Sequence, residues 1–83
     1  MPSIDDLVSQ MRANPKGIRF ADLERVCRAF FGGPRRSSGS HQTYKMPWAG
    51  DPRVNIQDFH GEAKAYQVRQ VLAAIDRLKE DVK

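Results

Sequence analysis

The stretch Arg35-Arg36-Ser37-Ser38-Gly39-Ser40-His41-Gln42-Thr43-Tyr44-Lys45-Met46 constrains the fold more than any other part of the chain. Gly39-Ser40 sits between two short, polar, β-prone runs, the pattern of a two-residue hairpin loop. Glycine at the first central position supplies the positive φ of a type II′ turn. With that turn, Ser38 pairs with His41, Arg36 with Thr43 and Pro34 with Lys45. Cross-strand partners share a face of the sheet. Arg36, Ser38, His41, Thr43 and Lys45 therefore fall on one face, and Arg35, Ser37, Gln42, Tyr44 and Met46 on the other. The first face is cationic and carries an imidazole. The second has Tyr44 and Met46 to bury, so the hairpin needs an apolar layer against it.

Three amphipathic segments can supply that layer. Ser3-Ile4-Asp5-Asp6 is a capping-box-like start with acids in the first turn. Ile4, Leu7, Val8 and Met11 follow at helical spacing. Asn14-Pro15 stops this helix, because the residue before proline disfavours the helical region. Lys16-Gly17 completes a turn, and Ile18-Arg19-Phe20 is a short extended link. A second helix is expected from about Ala21 to Phe31, with Leu23, Val26, Cys27 and Phe30 on one face and Gly32-Gly33-Pro34 as its stop. The last helix spans about Ala65 to Asp81, with Val68, Val71, Leu72, Ile75, Leu78 and Val82 in one stripe. Its outer residues, Arg69, Asp76, Arg77 and Glu80, read as a solvated surface.

Met46-Pro47-Trp48-Ala49-Gly50-Asp51-Pro52 reads as a loop with an exposed or half-exposed Trp48. Arg53-Val54-Asn55-Ile56-Gln57 alternates as a third strand, Val54 and Ile56 inward, Arg53, Asn55 and Gln57 toward the cationic side. Asp58-Phe59-His60-Gly61-Glu62 reads as a loop. The expected fold is α+β: a two-layer sandwich in the order α-α-β-β-β-α, a three-stranded antiparallel sheet with its helices on one face. The other face stays open, and it is the face of His41.

At 83 residues the chain has room for one domain, residues 1–83. Such a domain buries only ~60–65% of its extended-chain surface, so every stripe is needed. A single cysteine, Cys27, excludes an internal disulfide and a cysteine metal cluster. Lying in the Leu23–Phe30 stripe, it reads as a small core residue. The longest apolar run is far short of a membrane span, and no signal-peptide pattern opens the chain, so a cytoplasmic location is expected by default. The net charge of +4 favours an anionic partner. Nine of the fourteen basic residues are arginine, the better residue for phosphate forks.

His41 and His60 are nineteen positions apart, and no metal-ligand spacing or Gly-rich phosphate loop is present. A lone histidine on a sheet is more often structural than catalytic. Here it stands beside a turn, on a face with Arg36, Lys45 and Arg53. Such a face suits a phosphodiester: cations hold the phosphate and stabilise transition-state charge. An imidazole with a pKa near ~6.5 takes the proton of a ribose 2′-hydroxyl. The freed 2′-oxygen attacks phosphorus and breaks RNA without metal or other cofactor.

The run Gly39-Ser40-His41-Gln42-Thr43-Tyr44-Lys45-Met46-Pro47 resembles the signature of the HicA toxins, the RNA-cleaving halves of HicA–HicB toxin–antitoxin pairs. Val54-Asn55-Ile56 is similar to that family's third strand, and Phe59-His60-Gly61 to the His-Gly found after it. The resemblance covers residues 21–80. It implies a fold like a double-stranded-RNA-binding domain, mRNA interferase activity, His41 as the catalytic residue, and a HicB-like antitoxin as protein partner. On this reading Arg36, Lys45 and Arg53 contact the RNA, with Ser40 shaping the turn beside them. Many family members carry two consecutive histidines, whereas here the second position is Gln42. The basic, Gly-containing run before the last helix is replaced by Gly61-Glu62-Ala63-Lys64-Ala65, and residues 1–16 add a helix that small members lack. Two other functions share these features: a non-catalytic RNA-binding module of the same fold, and a protein-interaction domain whose basic face meets an acidic partner.

Overall fold

The computed structural model describes residues 3–34, 36–38, 41–46 and 53–81, with the backbone alone at 36, 38, 80 and 81. Ser3 caps the first helix, α1 (Ile4–Ala13): its hydroxyl accepts from the Asp6 amide at 3.1 Å, and the Asp6 carboxylate accepts from the Ser3 amide at 3.4 Å. Both exchanges satisfy amides that the first helical turn leaves without partners. Asn14 ends the helix, and Pro15–Gly17 forms one 3-10 turn. The second helix, α2, runs Phe20–Phe31 and stops at Gly32, whose φ of 81° is open to glycine without a Cβ penalty. The third, α3, runs Ala65–Asp81 as expected.

The hairpin has the register that the Gly39-Ser40 turn demands. In β1 (Arg36–Ser38) and β2 (His41–Lys45), Ser38 faces His41 and Arg36 faces Thr43. Gly39, Ser40 and the 47–52 loop with Trp48 lie outside the described residues. Pro34 lies outside β1, so its expected pairing with Lys45 is absent; proline has no N–H for a ladder. The third strand, β3 (Arg53–Phe59), pairs antiparallel with β2, and the three-stranded sheet stands as anticipated.

One segment departs from expectation. Asp58–Glu62 is not a loop: β3 continues through Phe59, turns at His60-Gly61 and returns as a two-residue strand, β4 (Glu62–Ala63). His60 and Gly61 both have positive φ, 54° and 84°, the signature of a type I′ turn. The Asp58 carboxylate accepts from the Gly61 amide at 2.6 Å and pins it. The outer edge of β4 is covered by the link before α2: the Ala63 amide donates to the Ile18 carbonyl at 2.9 Å, and the Phe20 amide to the Gly61 carbonyl at 3.0 Å.

The inward faces meet in one cluster. Tyr44, Val54 and Ile56 from the sheet pack with Leu23, Val26 and Cys27 of α2 and with Val68, Val71, Leu72 and Ile75 of α3; Phe30 lies partly buried at its margin. Leu7, Val8 and Met11 of α1 join the same cluster, so the additional helix is part of the core. α1 packs against both other helices. Asp76 lies on the solvated surface as expected and from there ties α3 to α1: its carboxylate accepts from the Arg12 guanidinium at 2.6 and 3.3 Å.

Ile75 is fully buried in the middle of that cluster. Ile75→Ala should cost ~2–5 kcal/mol in urea unfolding; a loss under about 0.5 kcal/mol, typical of a surface position, would mean that α3 does not pack as described. The Arg12 guanidinium, by its hydrogen bond first, holds the Asp76 carboxyl below its ordinary value. A depressed carboxyl pKa stabilises the fold above the unfolded value near ~4 and loses that contribution as pH falls through the folded value. Asp76→Asn should therefore lower the thermal midpoint at pH 7, with the gap to the unmutated protein narrowing below about pH 4. A gap constant down to pH 2 would exclude this pair as the cause.

Candidate functional site

The open face is built by alternation. Along β2, His41 and Lys45 are exposed and Thr43 half-buried, while Gln42 and Tyr44 between them are buried. Along β3, Arg53, Asn55 and Phe59 are exposed and Gln57 is half-buried, while Val54 and Ile56 are buried. Register then sets rows across the sheet: Ser38–His41–Gln57, Arg36–Thr43–Asn55, and Lys45–Arg53. The middle row is fixed by the Thr43 hydroxyl, which donates to the Asn55 side-chain oxygen at 2.7 Å.

These rows divide the expected site residues. Arg36 sits one row from His41 on the neighbouring strand, a diagonal position at ~7–8 Å. Lys45 and Arg53 form the far row, four residues along β2 from His41, which at ~3.4 Å per residue is ~13–14 Å. At the backbone, therefore, Lys45 and Arg53 are not grouped with His41; a ligand touching all three has to extend along β2. At their end an open groove of about 380 Å³ separates β3 from α3, with Arg53, Asn55, Gln70 and Arg77 in its wall. Ser40 lies outside the described residues, and His60 stands away from the rows, on the β3–β4 turn.

The face turned to the helices carries its own polar chain. The Gln42 amide donates to the Glu24 carboxylate of α2, and the Tyr44 hydroxyl donates to the Gln42 side-chain oxygen at 2.6 Å. Arg28, one turn along α2, lies 3.7 Å from the same Glu24 carboxylate. Gln42 is only 8% exposed, so the position after the Gly-Ser-His motif is committed to holding the sheet on α2. Burial, then the neighbouring Cys27 and Glu24, pushes the Tyr44 phenol up to about 12. Burial, then Glu24, pushes the Cys27 thiol up to about 12 as well. A thiol so far from ionisation is a poor nucleophile, which agrees with Cys27 as a core residue.

Two residues of the open face escaped the sequence reading, Phe59 and Lys64. The Phe59 ring is 51% exposed, and the Lys64 ammonium lies 5.2 Å from its centroid. Only part of the signal was present: His60-Gly61 suits a two-residue turn, but polar Asp58 at an inward position and apolar Phe59 at an outward one break the alternation that begins at Arg53.

No protein-family model, curated protein or solved structure matches the chain. Among the described residues, no three His, Cys, Asp or Glu side chains converge as a metal site, and no helix is long and apolar enough to cross a membrane.

Gln42→Leu tests the division of faces. It leaves the Tyr44 hydroxyl and the Glu24 carboxylate without their partner, at a cost of ~1–3 kcal/mol on unfolding. Any activity of the open face should survive in the folded variant, because position 42 does not reach that face. Unchanged stability together with lost activity would place Gln42 in the site instead.

Proposed function

We propose that the chain is a metal-independent endoribonuclease of the HicA type, the toxin of a type II toxin–antitoxin pair. It cleaves mRNA in the cytoplasm and is restrained by a HicB-like antitoxin that covers its open face. The observation that carries this reading is the placement of His41. It is exposed at the start of β2, on the face opposite the helices, with the cations Lys45 and Arg53 on the same face. The sheet-and-helix order resembles a double-stranded-RNA-binding domain, a fold that reads RNA through phosphates and 2′-hydroxyls.

In the proposed reaction the neutral imidazole of His41 removes the proton of a ribose 2′-hydroxyl. The 2′-oxygen forms a bond to the adjacent phosphorus, and the bond from phosphorus to the 5′-oxygen breaks. The leaving oxygen takes up a proton, so the products end in a 2′,3′-cyclic phosphate and a 5′-hydroxyl. Arg36, at the backbone one row from His41, is the cation assigned to stabilise the charge that develops on the phosphoryl oxygens, while Lys45 and Arg53 hold the strand further along. DNA lacks the attacking hydroxyl and is spared. A non-catalytic RNA-binding module would use the same face but leave the strand intact.

His41→Ala should abolish cleavage of single-stranded RNA while shifting unfolding by less than about 0.5 kcal/mol, as for other exposed side chains. RNA binding should persist in the variant and weaken as salt is raised, because phosphate contacts release counterions. Cleavage by the unmutated protein with cyclic-phosphate ends supports the enzyme, and binding without cleavage supports the module. A folded His41→Ala protein that cuts at the original rate removes His41 from the mechanism and makes His60 the next residue to replace.

A further inference from the structure

The corner of the open face beside His41 contains an aromatic ring that the fold holds in solvent. Phe59 is the last residue of β3 and continues the outward alternation of Arg53, Asn55 and Gln57. His41 faces Gln57, so Phe59 is two residues further along β3, in the diagonal position ~7–8 Å from His41. More than half of its surface is exposed. The ring is fixed from both sides of the chain. The His60 imidazole stands edge-on to it, with centroids 4.8 Å apart and planes at 73°. The Lys64 ammonium reaches it from the start of α3, 5.2 Å from the centroid. The turn behind it is locked by the bond from the Gly61 amide to Asp58.

We propose that Phe59 and Lys64 form a nucleobase-stacking subsite for single-stranded RNA, holding the base of a nucleotide next to the phosphodiester that His41 meets. The subsite rests on the RNA-cleaving reading above and gives it a positioning element. An aromatic ring accepts any base, because every base offers a π-face. The Lys64 ammonium lies over one face of the ring, so the base takes the other face and the ammonium meets the phosphate that follows. The diagonal spacing puts Phe59 and His41 on neighbouring rows of one face. Glu62, directly across from Phe59 on β4, is exposed and anionic. It repels phosphate from the outer side of the ring and leaves the His41 side for the backbone. The two cations of the far row, Lys45 and Arg53, then hold the strand further along β2, so the RNA path runs from Phe59 past His41 to Arg53.

The experiment uses a fluorescein-labelled, mixed-sequence 2′-O-methyl RNA 12-mer, which lacks the attacking hydroxyl and stays intact. Binding is read by anisotropy at low salt for the unmutated protein and for Phe59→Ala, Phe59→Leu and Phe59→Trp, each with its melting curve. Phe59→Ala and Phe59→Leu should weaken binding by roughly 5- to 150-fold, the range of one base stack. Phe59→Trp should keep or tighten it. An abasic 12-mer should bind the unmutated protein and Phe59→Ala alike. Phe59→Leu keeps an apolar side chain of similar size, so its loss of binding in a folded protein reports the π-face and not packing. Folded Phe59→Ala and Phe59→Leu proteins that bind the 12-mer as tightly as the unmutated chain overturn the subsite and leave the RNA reading standing. An unmutated chain that does not bind the 12-mer at all overturns the RNA reading and the subsite with it.

Discussion

The pairing of β2 with β3 decides what every other part of this molecule meets. With His41 opposite Gln57 and Tyr44 opposite Val54, the apolar side chains Tyr44, Val54 and Ile56 point at the helices, and His41, Lys45 and Arg53 point away. A slip of one residue would bury His41, Lys45 and Arg53 and expose Tyr44, Val54 and Ile56, since strand side chains alternate with period two. Burying unpaired charge costs far more than exposing an apolar group. Register is thus strongly specified, and with it the separation of an open face from a supporting one.

The supporting face is held by more than apolar contact. Glu24, Gln42 and Tyr44 form a hydrogen-bonded chain from α2 to the middle of β2, beside the Cys27 thiol. Such a chain specifies one arrangement of helix on sheet, because its polar atoms have no substitute partners in the interior. It also makes the residue after His41 a structural one. If the open face acts on RNA, its proton chemistry falls to His41 and to groups on that face or in the RNA, not to position 42.

The open face has two ends. One holds His41, Phe59 and Lys64; the other holds Lys45, Arg53 and the groove toward α3. The two ends lie ~13–14 Å apart along β2. α1 stands apart from this: it contributes Leu7, Val8 and Met11 to the core and is tied to α3 through Arg12 and Asp76.

Much of this architecture is legible in the residues alone. Helix limits follow from Ser3, Asn14-Pro15 and Gly32-Gly33-Pro34, because caps and breakers act on their own neighbours. The Ser38–His41 pairing follows from a two-residue turn, and the two faces follow from period two. The full length of β3 is hidden, since polar Asp58 at an inward position and apolar Phe59 at an outward one break the alternation there. The side-chain contacts between elements were not in the sequence at all. Local pattern placed His41, Lys45 and Arg53 on one face and set Lys45 four residues from His41; that Arg53 stands opposite Lys45 and not His41 is decided by the β2–β3 register. Lys64 reaches Phe59 only because β4 folds back on β3. Asp76 meets Arg12 only because α1 lies on α3, and Gln42 meets Glu24 only because α2 lies under β2. The sequence determined the elements and their faces because those are set by neighbours along the chain; tertiary structure alone decided the pairings between elements, because they join residues as far as 64 positions apart.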